Sequence, residues 1–163
     1  MIEVVYKIDK PKNFSNEERI IFLDMIKQQG KIINPKMERV KRCKLLCICF
    51  ENGKVVSIGA MKPKSNSDFD SDKADLFKMR SEFENELGYC FTLPKRTGKG
   101  YSSTITGILL KEFENENIMA STELRADNPM TRILERNGFK LFGKPWKSGK
   151  HGGTLGLYLK FVK

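Results

Sequence analysis

Residues Pro94 to Ser102 read Pro-Lys-Arg-Thr-Gly-Lys-Gly-Tyr-Ser, between a strand-like apolar segment and an amphipathic, helix-like one. That arrangement suits an anion. Gly98 and Gly100 carry no side chain, so backbone N–H groups there can approach a ligand closely. A helix beginning near Tyr101 adds unpaired amides and the positive end of its dipole. Lys95, Arg96 and Lys99 add formal charge, and the expected chemistry is phosphate binding. Two common nucleotide motifs fit badly. A Walker loop needs Lys and then Ser or Thr after its last glycine, whereas Tyr101 follows Gly100. A dinucleotide fingerprint needs a third glycine where Ser103 stands, and an early strand–helix–strand unit that is not evident.

Other reactive groups lie near the turn in sequence. Glu86 sits early on the strand leading into it, a candidate base acting through water, with Glu84 in reserve. Tyr101 and Tyr89 are candidate proton donors. Cys90 is expected on the strand face of Glu86 and Gly88, but no base is evident for a covalent route. Cys43, Cys47, Cys49 and Cys90 include no Cys-x-x-Cys pair, and His151 is the only histidine. No metal site is expected, His151 is expected to be exposed rather than catalytic, and the cysteines are expected to be buried as small hydrophobes.

The elements that must hold these groups follow from local signals. Ile2–Ile8 reads as a strand. Ser15 and Glu18 form a capping box ahead of an apolar helical stretch ending near Gly30. Asn34-Pro35 suits the start of a short second helix. Asn52-Gly53 between Lys44–Phe50 and Lys54–Met61 predicts a hairpin. Pro63–Asp72 is expected to be a loop and Ala74–Phe83 a helix. Glu86–Leu93 is the strand before the turn. Ile105, Ile108, Leu109 and Phe113 form the apolar stripe of the helix after it. Ile118–Leu124 is strand-like, Asn128-Pro129 opens a helix closed by Asn137-Gly138, and Phe139–Phe142 and Thr154–Val162 supply the last strands.

The 163 residues, 39% hydrophobic and 31% charged, fit one domain spanning 1–163. No apolar run approaches the roughly 20 residues needed to span a bilayer. No signal peptide is evident, so a cytoplasmic protein without a membrane partner is expected. The net charge of +10 is scattered over three locally basic segments, which argues against nucleic acid as a partner and for an anionic ligand plus a solvated face. A homodimer is allowed, though no sequence feature establishes one.

The glycine turn resembles the pyrophosphate loop of the GNAT superfamily of N-acetyltransferases, with Thr97, Gly100 and Ser102 at its key positions. Lys95, Gly98 and Gly100 form an alternative register. Thr97 replaces the family's usual Arg or Gln. The segment Arg125-Ala-Asp-Asn-Pro-Met-Thr-Arg-Ile-Leu-Glu-Arg-Asn-Gly-Phe139 is similar to the family's closing helix and turn, through Asn128, Glu135, Arg136, Gly138 and Phe139. The resemblance covers almost the whole chain. It implies an α/β (α+β) fold, with a mixed, mostly antiparallel central sheet flanked by helices on both faces. It implies transfer of an acetyl group from acetyl-CoA, as co-substrate, directly to a primary amine of unknown identity. The backbone of Phe91, Thr92 and Leu93 would receive the pantetheine arm. Amides from Gly98 through Lys99, Gly100, Tyr101 and Ser102 would take the diphosphate, and Asn128 would contact the cofactor arm. The family's usual acid, a Tyr on the closing helix, falls here on Leu134. A catalytically weak or inactive CoA-binding sensor of the same fold is therefore the alternative.

Overall fold

The computed structural model describes residues 1–150 and 152–163; His151 lies outside the described residues. The chain divides into two compact units, one formed by Met1–Lys62 with Leu87–Glu112, the other by Pro63–Glu86 with Phe113–Lys163. Its strands form a mixed, mostly antiparallel seven-stranded sheet, and four α-helices accompany them among the described residues.

In the first unit, strand β1 (Val4–Asp9) leads to helix α1 (Asn16–Gln29). The capping box forms: Ser15 Oγ accepts from the Glu18 N–H at 3.1 Å, and Glu18 Oε1 accepts from the Ser15 N–H at 2.9 Å. Gly30, at φ 75°, closes the helix in the left-handed conformation that glycine favours. Helix α2 (Met37–Lys41) starts later than Asn34-Pro35 suggests. Asn34 takes φ 45°, unsuited to a cap, and Lys36 holds the extended cap position instead. Strands β2 (Leu45–Glu51) and β3 (Lys54–Pro63) form the expected hairpin. Asn52 at φ 50° and Gly53 at φ 79° supply the two left-handed residues of a type I′ turn.

Strand β4 (Asn85–Thr92) neighbours β3 and leads through the glycine turn into α3 (Tyr101–Lys111). Helices cover both faces of β3. Ile58 and Ala60 join Phe22, Met25 and Ile26 of α1 in one core. Gly59 faces the other way: a Cβ added there would lie 2.5 Å from Ile105 Cγ2 and 3.3 Å from Leu109 Cδ1 of α3.

In the second unit, β4 begins parallel to β5 (Ile118–Glu123), pairing Asn85 with Ile118 and Glu86 with Met119. Helix α4 (Pro129–Arg136) follows, and β6 (Lys140–Lys147) and β7 (Thr154–Lys160) complete an antiparallel ladder on β5. Phe69, Ala74, Phe83, Met119, Trp146, Leu157 and Leu159 form its core. The expected helix over Ala74–Phe83 is instead a 3-10 segment, Phe77–Glu82. Asp75, at φ 61°, interrupts the helical path, and none of the six residues is fully buried, so little packing rewards an α-helix.

Candidate functional site: the glycine turn ahead of helix α3

After β4 the chain makes a 3-10 turn at Pro94–Arg96, with the Arg96 N–H donating to Leu93 O at 2.8 Å. Thr97 donates its hydroxyl to Pro94 O at 3.2 Å, so its side chain closes this turn. Gly98 then takes φ 84° and Gly100 φ 79°, conformations that L side chains rarely adopt. Beyond the adjoining residues, no atom lies within 4 Å of where a Cβ on either glycine would stand, so both positions open outward. Gly100 is the N-cap of α3, and no side chain caps the helix. Geometry leaves the first amides of an α-helix without intrahelical partners. They sit beside a turn whose residues 94–100 are all exposed. Backbone N–H groups, a helix dipole and space coincide here.

One residue the sequence reading did not single out organises this turn. Glu51, the last residue of β2, is only 8% exposed. Its carboxylate meets Arg96 Nε at 3.1 Å and Lys99 Nζ at 3.2 Å, and it accepts a hydrogen bond from the Tyr101 hydroxyl. The Tyr101 hydrogen bond, with Lys99 and Arg96, holds the Glu51 carboxyl below the usual carboxylate range. The same bond pushes the Tyr101 phenol up to about 12. A carboxylate before an Asn-Gly turn reads as a solvated end residue, and its partners stand far along the chain.

Strand β4 is less regular than its length suggests. Tyr89 has φ 56°, a strained value for a bulky residue in mid-strand. A Cβ on Gly88 would point at the Lys62 side chain, at 2.7 Å, while the Tyr89 ring packs edge-on against Phe22. Two successive residues thus face the α1 side, as in a β-bulge. Cys90 consequently does not share a face with Gly88. Its Sγ would lie 3.4 Å from a Cβ on Gly59, on the α3 side. Beyond the bulge, Phe91 and Leu93 pack toward the α1 core, and Thr92 bonds Ser102 of α3, Oγ1 to Oγ, at 2.8 Å. Ser57, fully buried on β3, meets Thr92 Oγ1 at 2.7 Å and donates to Phe91 O at 3.2 Å. This run of hydroxyls fastens the strand end to the helix start. Phe91, Thr92, Leu93, Thr97, Gly98, Lys99, Gly100, Tyr101 and Ser102 therefore all belong to one strand–turn–helix segment of the first unit.

Glu86 and Asn128 lie in the second unit. Glu86 is 6% exposed, and its Oε1 accepts from the Ser65 N–H at 2.8 Å. Asn128 caps α4: Oδ1 accepts from the Met130 N–H at 3.1 Å, while Nδ2 donates to Thr122 Oγ1 and to Glu123 O. Leu134 on α4 is fully buried and offers no proton. Cys43, Cys47 and Cys49 are buried and Cys90 half-buried. Burial pushes the Cys43, Cys47 and Cys90 thiols up to about 12, away from nucleophilic use at neutral pH.

No protein-family model matches the chain, and no curated protein matches it by sequence. Solved structures do match in shape. An acetyltransferase of the GNAT family from Streptococcus pneumoniae superposes with a TM-score of 0.68 at 12% identity, over 99% of this chain and 100% of that one. This is the GNAT fold. Arabidopsis thaliana NAA60, solved with a bisubstrate analogue, gives a TM-score of 0.69 at 8% identity, covering 99% of both chains. A chain of the NatC complex, solved with Gag peptide and CoA, gives 0.71 at 13% identity, also over 99% of both. The expected mixed, mostly antiparallel sheet with helices is the one observed. Among the described residues no helix is long and apolar enough to cross a membrane.

Proposed function

We propose that the whole 163-residue chain is one acetyl-CoA-dependent N-acetyltransferase domain acting on a primary amine by direct transfer. The observation that carries this reading is the open turn: two left-handed glycines and an uncapped 11-residue helix, directly after β4 of a GNAT fold. Its residues fit a diphosphate. Amides from Gly98 to Ser102 would hold the phosphates, and the backbone of Phe91 to Leu93 would receive the pantetheine arm. Acetyl-CoA, when bound, supplies an acyl group activated as a thioester.

The chain's own groups would then orient and exchange protons. Backbone N–H of the β4 end would polarise the acyl carbonyl as negative charge builds on its oxygen. Glu86 is the proposed base, taking a proton from the attacking amine through water. As the C–N bond forms the thioester C–S bond would break, and the departing thiolate would take its proton from solvent or from the amine. Tyr101 was a candidate acid from sequence. Its donation to Glu51 and its raised pKa favour a role in holding the turn instead. Asn128 remains a proposed contact to the cofactor arm, although three hydrogen bonds already engage its amide.

Calorimetric titration with acetyl-CoA, followed by thiol release across a panel of amines, tests the proposal. Binding with amine-dependent thiol release supports it; no binding overturns it. Binding without release with any amine would establish the second reading, a CoA-binding module without turnover. The buried Leu134 at the family's usual acid position favours that reading.

A further inference from the structure

We propose that Glu51 is a positioning residue that holds the glycine turn in its anion-receiving shape. The inference rests on the phosphate-binding reading of that turn and names what sets its geometry. The three partners of Glu51 bracket the flexible part of the chain: Arg96 precedes Gly98, Lys99 stands between the glycines, and Tyr101 follows Gly100. Glycine loses more conformational freedom on ordering than any other residue, so two glycines in three positions make a turn that needs external restraint. Glu51 supplies it from the rigid end of a β-hairpin, paired across to Val4 on one side and Lys54 on the other.

The arrangement also redistributes charge. Arg96 and Lys99 turn inward onto the carboxylate. The outward face of the turn is left to backbone amides and to Lys95, for which the described residues show no ion pair. Diphosphate recognition would then depend on amide geometry more than on mobile cations, and amide geometry is what Glu51 controls. A carboxylate beside an anion site also repels. The proposal therefore requires the restraint to outweigh the repulsion.

Two readouts on the full chain decide it: amide hydrogen exchange without ligand at Thr104, whose N–H donates to Gly100 O at 3.0 Å and so reports on the turn, and the acetyl-CoA dissociation constant by calorimetry. Glu51→Gln should speed exchange at Thr104 and weaken binding, each about tenfold, as expected for losing charge-assisted bonds. Glu51→Asp should recover part of both. In an Arg96→Ala/Lys99→Ala background, Glu51→Gln should add little, because the partners through which it acts are gone. A general loss of folding would instead add fully. Tyr101→Phe, which removes one bond and keeps the ring, should move both readouts in the same direction by less. Unchanged exchange in Glu51→Gln, or tighter acetyl-CoA binding at an unchanged melting temperature, overturns the proposal. If wild-type protein fails to bind acetyl-CoA while Glu51→Gln still speeds exchange, the acetyltransferase reading falls and the positioning role stands.

Discussion

Helices α3 and α4 begin in opposite ways. Helix α4 is sealed by its own chain: Asn128 caps the Met130 N–H, and Pro129 at the first helical position has no N–H to satisfy. Helix α3 begins at a glycine with no side chain to cap it. A sealed start stabilises its own fold, whereas an open one leaves donors available to something else. The chain places a left-handed glycine where a capping Asn or Ser ordinarily stands. The open turn is instead secured from the side, by Glu51 and by the Ser57–Thr92–Ser102 hydroxyl run.

The strongest way to break this contrast is to close the open start. Gly100→Asp places a side chain at φ 79° and negative charge among the amides, and acetyl-CoA affinity should fall by about two orders of magnitude or more. Calorimetry checks this, and unchanged affinity would remove the turn from the site. Next comes the packing that anchors α3. Gly59→Ala puts a Cβ 2.5 Å from Ile105 Cγ2, and denaturant unfolding should show a loss of about 1–3 kcal/mol. The sealed start should respond in stability: Asn128→Ala should cost about 1 kcal/mol by the same method. An accompanying loss of acetyl-CoA affinity would support Asn128 as a cofactor contact, and unchanged affinity would remove it.

The smallest effect is in pH dependence, which should distinguish the two starts. Glu51 has a folded-state pKa below its unfolded value, so its contribution is present above the unfolded carboxyl value. It is lost as pH falls through the folded one, which lies below the ordinary carboxyl value. Tyr101 has the opposite sign. Its contribution is complete below about pH 10 and is lost as pH rises through about 12. Protection of the Thr104 amide, bonded to Gly100 O, should follow both limbs, and Glu51→Gln should flatten the acid one. No titratable side chain caps α4, so exchange at its first turn should show neither limb beyond the intrinsic rate.

Local chemistry made much of this legible in sequence. Ser15 and Glu18, Asn52-Gly53, Asn128-Pro129 and the glycine pair each signal their own element because their partners lie within a few residues. The failures are non-local or unrewarded. Apolar spacing in Leu76–Phe83 matches a helix, but Asp75 at φ 61° breaks the path, and Leu76, Met79 and Phe83 reach the core from a 3-10 turn instead. Glu51 acquires its role from residues 45 to 50 positions away, a relation that no local pattern carries. The face of Cys90 was misread because strict alternation assumes an unbroken pleat, and Tyr89 breaks it.

That irregularity acts as a phase shift in the strand. Upstream of Tyr89 the even-numbered Gly88 points toward α1; downstream the odd-numbered Phe91 and Leu93 do, which frees Thr92 to reach Ser102. Deleting one residue here would preserve hydrophobicity and nearly all of the strand's length, yet invert every later side chain and swap Phe91 with Thr92. In this strand, orientation is encoded by a count of residues as much as by their kinds.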